Sequence, residues 1–150
     1  MRVVIQRVSE ASVKIEGSLK GSIGPGMLIL AGFEEEDNTE DLEWMVRKIA
    51  NLRIFDDDQG VMNLSVSQVS GQLLVVSQFT LHASTRKGNR PSYVKAAVPD
   101  IAIPLYDSFC MMLQTYTGIK VETGEFGAHM EVQLINNGPV TIIIDSKKRE

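Results

Sequence analysis

The sequence predicts an α/β fold: a mixed-sheet single domain of three β/β/α layers with the element order ββ-(βα)2-βββ. Three observations predict it. β-favouring runs punctuated by glycine open the chain, two helix-periodic segments each follow a continuous apolar run, and three more strand-like runs close it. Both helices are expected on one face of the sheet and additional strands on the other.

Residues 2–8 interleave Val and Ile with polar side chains, and residues 11–15 repeat the pattern. Gly17, Gly21, Gly24 and Gly26 mark tight turns after them. Met27-Leu28-Ile29-Leu30-Ala31-Gly32 is unbroken and apolar, as in a strand covered on both faces. Glu34-Glu35-Glu36-Asp37 gathers carboxylates ahead of a helix, where the dipole favours them; an acidic metal site or ligand surface is the alternative. Asn38 or Thr39 caps that helix, whose apolar stripe is Leu42, Met45, Val46, Ile49 and Leu52. Asp56-Asp57-Asp58-Gln59-Gly60 reads as a polar turn, since it lacks the alternating ligands and closing Glu of an EF-hand loop. Leu73 to Val76 form a second buried strand. Asp100 is expected to cap a second helix with Pro104 in its first turn, Leu105, Phe109, Leu113 and Tyr116 along one side, and Gly118 ending it. Residues 120–123, 130–135 and 140–145 read as closing strands, the last two joined by a turn at Asn136-Asn137-Gly138-Pro139.

A chain of 150 residues fits one domain over 1–150 and buries enough surface to need no metal or disulfide staple. No apolar run approaches the ~20 residues that span a bilayer, and the opening is too interrupted for a signal peptide. The lone Cys110, in a helical pattern, fits a reducing compartment and core filling, so a cytoplasmic protein without a membrane partner is expected. A net charge of −4 argues against broad binding of a nucleic-acid backbone, and DNA is not an expected partner. Arg86, Lys87 and Arg90 form one local basic patch. Lys147-Lys148-Arg149 reads as a solvated, frayed tail.

Two constellations carry chemistry. Ser77, Gln78 and Thr80 place two hydroxyls and a carboxamide where the rigid strand at 73–76 ends, beside Phe79 and the basic segment. A substrate or a neighbouring strand can satisfy them. In the second, Gly138-Pro139 has a peptide bond that can be cis at modest cost, and Gly lets a ligand approach the main chain closely.

Ser-Gln-Phe-Thr at 77–80 and Asn-Gly-Pro-Val-Thr at 137–141 together make the chain resemble the D-aminoacyl-tRNA deacylases, also called D-tyrosyl-tRNA deacylases. The resemblance extends to the opening Met-Arg-Val-Val-Ile-Gln-Arg-Val, the loop Lys87-Gly88-Asn89-Arg90-Pro91-Ser92-Tyr93, with Tyr93 where Phe is more usual, and Phe126-Gly127-Ala128-His129-Met130. It implies the fold of that family and a homodimer with its active sites at the interface, into which the Gly138-Pro139 pair of one subunit is inserted in cis form. The implied substrate is D-aminoacyl-tRNA at its 3′ acceptor end, hydrolysed without cofactor or metal. Backbone N–H groups around Phe79 and Thr80 would receive the oxyanion, and Ser77, Gln78 and Phe79 the terminal adenosine. Asn137, Gly138 and Pro139 would select chirality. Phe126 and Met130 line the pocket by resemblance, or pack ordinarily. Arg86, Lys87 and Arg90 would take acceptor-stem phosphates. Thr80 is either nucleophile or positioner, and the only histidines that could activate it are His82 and His129. The rival readings are a general Ser/Thr esterase and a non-catalytic RNA-binding module.

Overall fold

A single 14-residue strand, β1 (Arg2–Ile15), organises the sheet. It is followed by β2 (Ser18–Ile23), β3 (Gly26–Gly32), α1 (Thr39–Ala50), β4 (Phe55–Asp56), β5 (Met62–Leu64), β6 (Gln72–Ser77), α2 (Pro99–Thr117), β7 (Val121–Thr123) and β8 (Glu131–Asp145). The structure is a computed structural model that describes residues 1–149. The main sheet runs β2-β1-β3-β6-β7, with β8 paired along the length of β1. β1 is antiparallel to β2, β3 and β8, whereas β3, β6 and β7 are mutually parallel, so the sheet is mixed.

Strand alternation builds two cores. Met27, Ile29 and Ala31 of β3 and Leu73 and Val75 of β6 meet the helices, packing with Met45, Ile49, Phe109 and Leu113. Leu28, Leu74 and Val76 point the other way, against Val8, Ala11, Val13 and Ile23. β1 gives Val3 and Ile5 to the first core and its second half to the other. β8 does likewise, with Ile142 and Ile144 in the first and Val132 and Leu134 in the second. The two long strands therefore pass from the central layer into an outer one, and the expected β/β/α stacking results.

Several elements depart from the expected detail. Residues 2–8 and 11–15 are one strand, because β1 bends through bulges instead of turning back. Residues 130–135 and 140–145 likewise belong to one strand, and no turn separates them. Asn136 pairs with Val8 and Thr141 with Gln6, so Asn137 to Val140 bulge out opposite Arg7. The hairpin β4–β5 adds a small second sheet at the aspartate-rich turn, where Asp57 accepts from the amides of Val61 (3.1 Å) and Gln59 (2.9 Å). Those bonds hold its carboxyl below the usual range.

Asn38 caps α1 through a reciprocal capping box with Asp41, a device worth about 1 kcal/mol. Asp37 is buried beyond any dipole role, pairing with the Met1 ammonium. In α2 the cap is Val98 with Pro99 at the first position, and Asp100 contributes only first-turn charge. Pro104 lies past the first turn. The buried stripe is Ala102, Tyr106, Phe109 and Leu113, while Tyr116 is exposed and Leu105 half-buried. Gly118 closes the helix in the left-handed region, as expected. The basic tail is not frayed. Lys147 pairs with Asp41 at 2.6 Å, and the Arg149 guanidinium lies 4.9 Å from the Trp44 ring centre.

Candidate active site

β6 delivers the first constellation. Leu73 to Val76 are buried on both faces, and the Tyr106 hydroxyl of α2 donates to the Val75 carbonyl at 2.8 Å, fixing the strand two residues before Ser77. At the strand's end the Gln78 N–H donates to the Ala31 carbonyl at 2.8 Å, and the chain tightens into a single 3-10 turn, Phe79–His82. Gly32 permits this return: a Cβ there would fall 2.7 Å from the Gln78 carbonyl oxygen and 3.1 Å from the His82 ring. The amides of Phe79 and Thr80 open the turn, where helical geometry supplies no partner for an N–H. Gln78 Nε2 donates to the Thr80 hydroxyl at 2.6 Å. Ser77, Gln78 and Thr80 are half-buried and Phe79 is 53% exposed, so the turn is a solvent-facing edge on a rigid mount.

The basic loop docks beside it. Tyr93 packs edge-to-face on Phe79 with ring centres 5.0 Å apart, and Ser84 and Ser92 exchange backbone bonds of 2.8 and 2.9 Å at the neck of the loop. Arg86, Lys87 and Arg90 between those serines are exposed.

His82 makes no hydrogen bond to Thr80. Its side chain is 1% exposed, lies against Gly32 and sits 3.1 Å from Glu34 without the alignment of a hydrogen bond. His129 is exposed in its loop. The Cys110 thiol is pushed up to about 12 by burial and held from rising further by Tyr106, and burial also raises the Tyr106 hydroxyl. Neither is an available nucleophile near neutrality.

The second constellation is the β8 bulge. Asn137, Gly138 and Pro139 are exposed, the Gly138-Pro139 peptide bond is cis, and Gly138 has φ +128°. Arg7 fills the space behind the bulge. Its Nε donates to the Asn137 carbonyl (3.1 Å), its Nη2 reaches Asn137 Oδ1 (3.4 Å) and its Nη1 donates to the Ile54 carbonyl (2.7 Å) and to Asp56 (3.2 Å).

Within one chain the two constellations do not meet. Arg7, opposite the bulge, is in register with Met27 and Leu73, whereas Ser77 is in register with Ala31 and Val3. That separates them by about 13 Å along the strands and about 14 Å across three strand spacings. Phe126 and Met130 also part company. Phe126 packs against Tyr106 in the helix-side core, with ring centres 6.0 Å apart, and Met130 fills the other core beside Gly124. Sequence reasoning gave no role to Arg2 or Arg7. Arg7 was detectable: Val3, Ile5 and Arg7 share one strand face, so a guanidinium stands at an inward position. Among the described residues, no group of three or more His, Cys, Asp or Glu could hold a metal ion, and no helix is long and apolar enough to cross a membrane.

Comparison with known proteins gives this geometry its relatives. A family model described as D-Tyr-tRNA(Tyr) deacylase matches residues 4–145. The D-aminoacyl-tRNA deacylases of Bacteroides thetaiotaomicron and Flavobacterium psychrophilum are each 61% identical over 150 residues, covering all of both chains. Among solved structures, a c-Myc DNA unwinding element binding protein superposes with TM-score 0.91 at 40% identity, covering 97% of this chain and 98% of that one. A structure described as a probable eukaryotic D-amino acid tRNA deacylase gives 0.81 at 18% identity over 95% and 97%, a likeness of fold alone. With the match running through both constellations and every element between them, the chain belongs to the D-Tyr-tRNA(Tyr) deacylase family.

Proposed function

We propose that this chain, one domain over residues 1–150, is a cytoplasmic enzyme that hydrolyses the ester between a D-amino acid and the 3′-terminal adenosine of tRNA, freeing mischarged tRNA for reuse. The observation that carries this reading is the Phe79–His82 turn, two open amides beside a Gln78–Thr80 pair, in a chain matched end to end by deacylases.

Water attacks the ester carbonyl carbon, and the amides of Phe79 and Thr80 stabilise the oxyanion that forms. The 3′ oxygen leaves with a proton, giving the free amino acid and tRNA. An aminoacyl ester is already activated, so positioning supplies most of what is needed. The 2′-hydroxyl of the same ribose assists, and Thr80, held by Gln78, positions instead of attacking. This accords with His82 lying against Glu34 and making no hydrogen bond to the hydroxyl. Ser77, Gln78 and Phe79 hold the adenosine, while Phe126 and Met130, packed in different cores, act as ordinary packing residues. Arg86, Lys87 and Arg90 take acceptor-stem phosphates.

Chirality is selected across a homodimer. The separation of the bulge from the turn within one chain, and the exposure of Asn137, Gly138 and Pro139, support a site that the partner subunit's bulge completes. Carbonyls there would fix the substrate α-amino group and crowd an L side chain. Each ~1.4 kcal/mol of such crowding is tenfold in selectivity. Glycine has no side chain to crowd, so glycyl-tRNA is a substrate too.

The test compares D-tyrosyl-tRNA with D-tyrosyl methyl ester. The reading predicts turnover of the first and little of the second, which lacks adenosine and 2′-hydroxyl. Equal turnover would make the protein a general esterase, and RNA binding without ester loss would make it a binding module.

A further inference from the structure

We infer that Arg2 is a positioning residue for the Phe79–His82 turn, an inference that rests on the deacylase reading of that turn. The Arg2 guanidinium works as a fork: Nη1 donates to the Leu81 carbonyl at 2.7 Å, while Nη2 and Nε donate to Asp145 Oδ2 at 2.8 and 3.1 Å. Its backbone is fixed from both sides, paired with Gly32 of β3 and with Asp145 at the end of β8. The sheet therefore reaches out through one planar side chain and holds the turn by its third residue.

The turn needs such a hold. A single 3-10 turn has poor internal hydrogen-bond geometry and is weak alone. Its entrance is tied by the Gln78 amide to Ala31, and its exit by the Ala83 amide to Thr80 at 3.0 Å. Between these, the Arg2 bond at Leu81 and the buried His82 against Gly32 set the plane in which the Phe79 and Thr80 amides face the substrate. Arg2 touches no reacting atom. Its guanidinium satisfies a carboxylate and a carbonyl at once because its donors diverge from a rigid plane, which a lysine ammonium cannot reproduce.

The experiment measures kcat and KM on D-tyrosyl-tRNA for Arg2→Lys, Asp145→Asn and the double variant, with Lys147→Ala as control. Arg2→Lys is expected to lower kcat about 10- to 100-fold while KM stays within about twofold, as for a misplaced transition-state contact. Asp145→Asn shifts the same parameter, and the double variant is no slower than the worse single, because both act through one bridge. Lys147→Ala breaks a nearby ion pair and lowers Tm without this kcat loss. Amide exchange at Phe79, Thr80 and Leu81 quickens in Arg2→Lys and not in Lys147→Ala. Unchanged kcat, additive losses, or a kcat loss that merely tracks Tm would overturn the inference, and Asp145→Asn decides the matter if Arg2→Lys does not fold. An inactive wild-type protein would overturn the deacylase reading and this inference together; an active wild type with full-rate Arg2→Lys would overturn this inference alone.

Discussion

Replacing Gly138 by alanine tests the bulge on two scales. Its φ of +128° is a conformation that L side chains rarely adopt, and an added Cβ would fall 2.9 Å from Arg7 Nη2, 2.9 Å from Val140 Cγ2 and 3.0 Å from the Val140 backbone nitrogen. None of the three yields easily. Arg7 is buried and tied to Ile54, Asp56 and Asn137, and the Val140 nitrogen is main chain. Strain of this kind costs about 1–3 kcal/mol, and at roughly 2–4 °C per kcal/mol for a chain of this size Tm should fall by about 2–12 °C. Relief comes by moving the bulge a few tenths of an ångström, which displaces the carbonyls proposed to select chirality. The D-to-L rate ratio on tyrosyl-tRNA should therefore fall about tenfold or more, equivalent to ~1.4 kcal/mol. Calorimetry and paired deacylation rates read both effects. An unchanged Tm would refute the steric reasoning, and a lowered Tm with unchanged D-to-L ratio would refute the bulge's role in selection.

Thr80→Ala removes the hydroxyl to which Gln78 donates, and kcat should fall about 10- to 100-fold without vanishing; a fall to the uncatalysed rate would make the hydroxyl the nucleophile. Neutralising Arg86, Lys87 and Arg90 together should weaken tRNA binding and flatten its dependence on log salt by roughly 0.7–0.9 per lost phosphate contact, and an unchanged slope would clear the loop of that role. Burial raises the pKa of Asp41, but hydrogen bonds from Lys147, Ser146 and the Asn38 amide outweigh it and hold the carboxyl below its ordinary 3.8. A lowered folded pKa adds stability above the unfolded value that is lost as pH falls through the folded one. The Tm difference between wild type and Lys147→Ala should thus be largest at neutral pH and shrink below about pH 4; a constant difference would contradict it. Mixing Thr80→Ala with Gly138→Ala chains under subunit exchange should raise the D-to-L rate ratio above that of the two proteins assayed without exchange, since the undamaged site of a mixed dimer regains selection. An unchanged ratio would place the whole site in one subunit.

The layers were legible because burial on both faces leaves a plain signature. Met27 to Gly32 and Leu73 to Val76 are unbroken apolar runs, and each became a central parallel strand. The first helix was readable from Asn38 and its stripe. The β8 bulge was not, since Asn-Asn-Gly-Pro carries the same local signal whether the chain reverses or only buckles. The choice depends on β1 offering a continuous edge, a long-range fact. The α2 stripe slipped because Tyr106 is inside, where its hydroxyl finds the Val75 carbonyl, a partner no local pattern reveals. Ser77 to Thr80 were found as a change from apolar to polar. Arg2 was missed because its partners, Leu81 and Asp145, lie 79 and 143 residues away.

The most direct test of the central claim is deacylation of D-tyrosyl-tRNA and L-tyrosyl-tRNA, side by side, by the purified protein. Rapid loss of the D-ester with the L-ester intact is the predicted result. Hydrolysis of both at similar rates, or of neither, would contradict the claim that this site removes D-amino acids from tRNA.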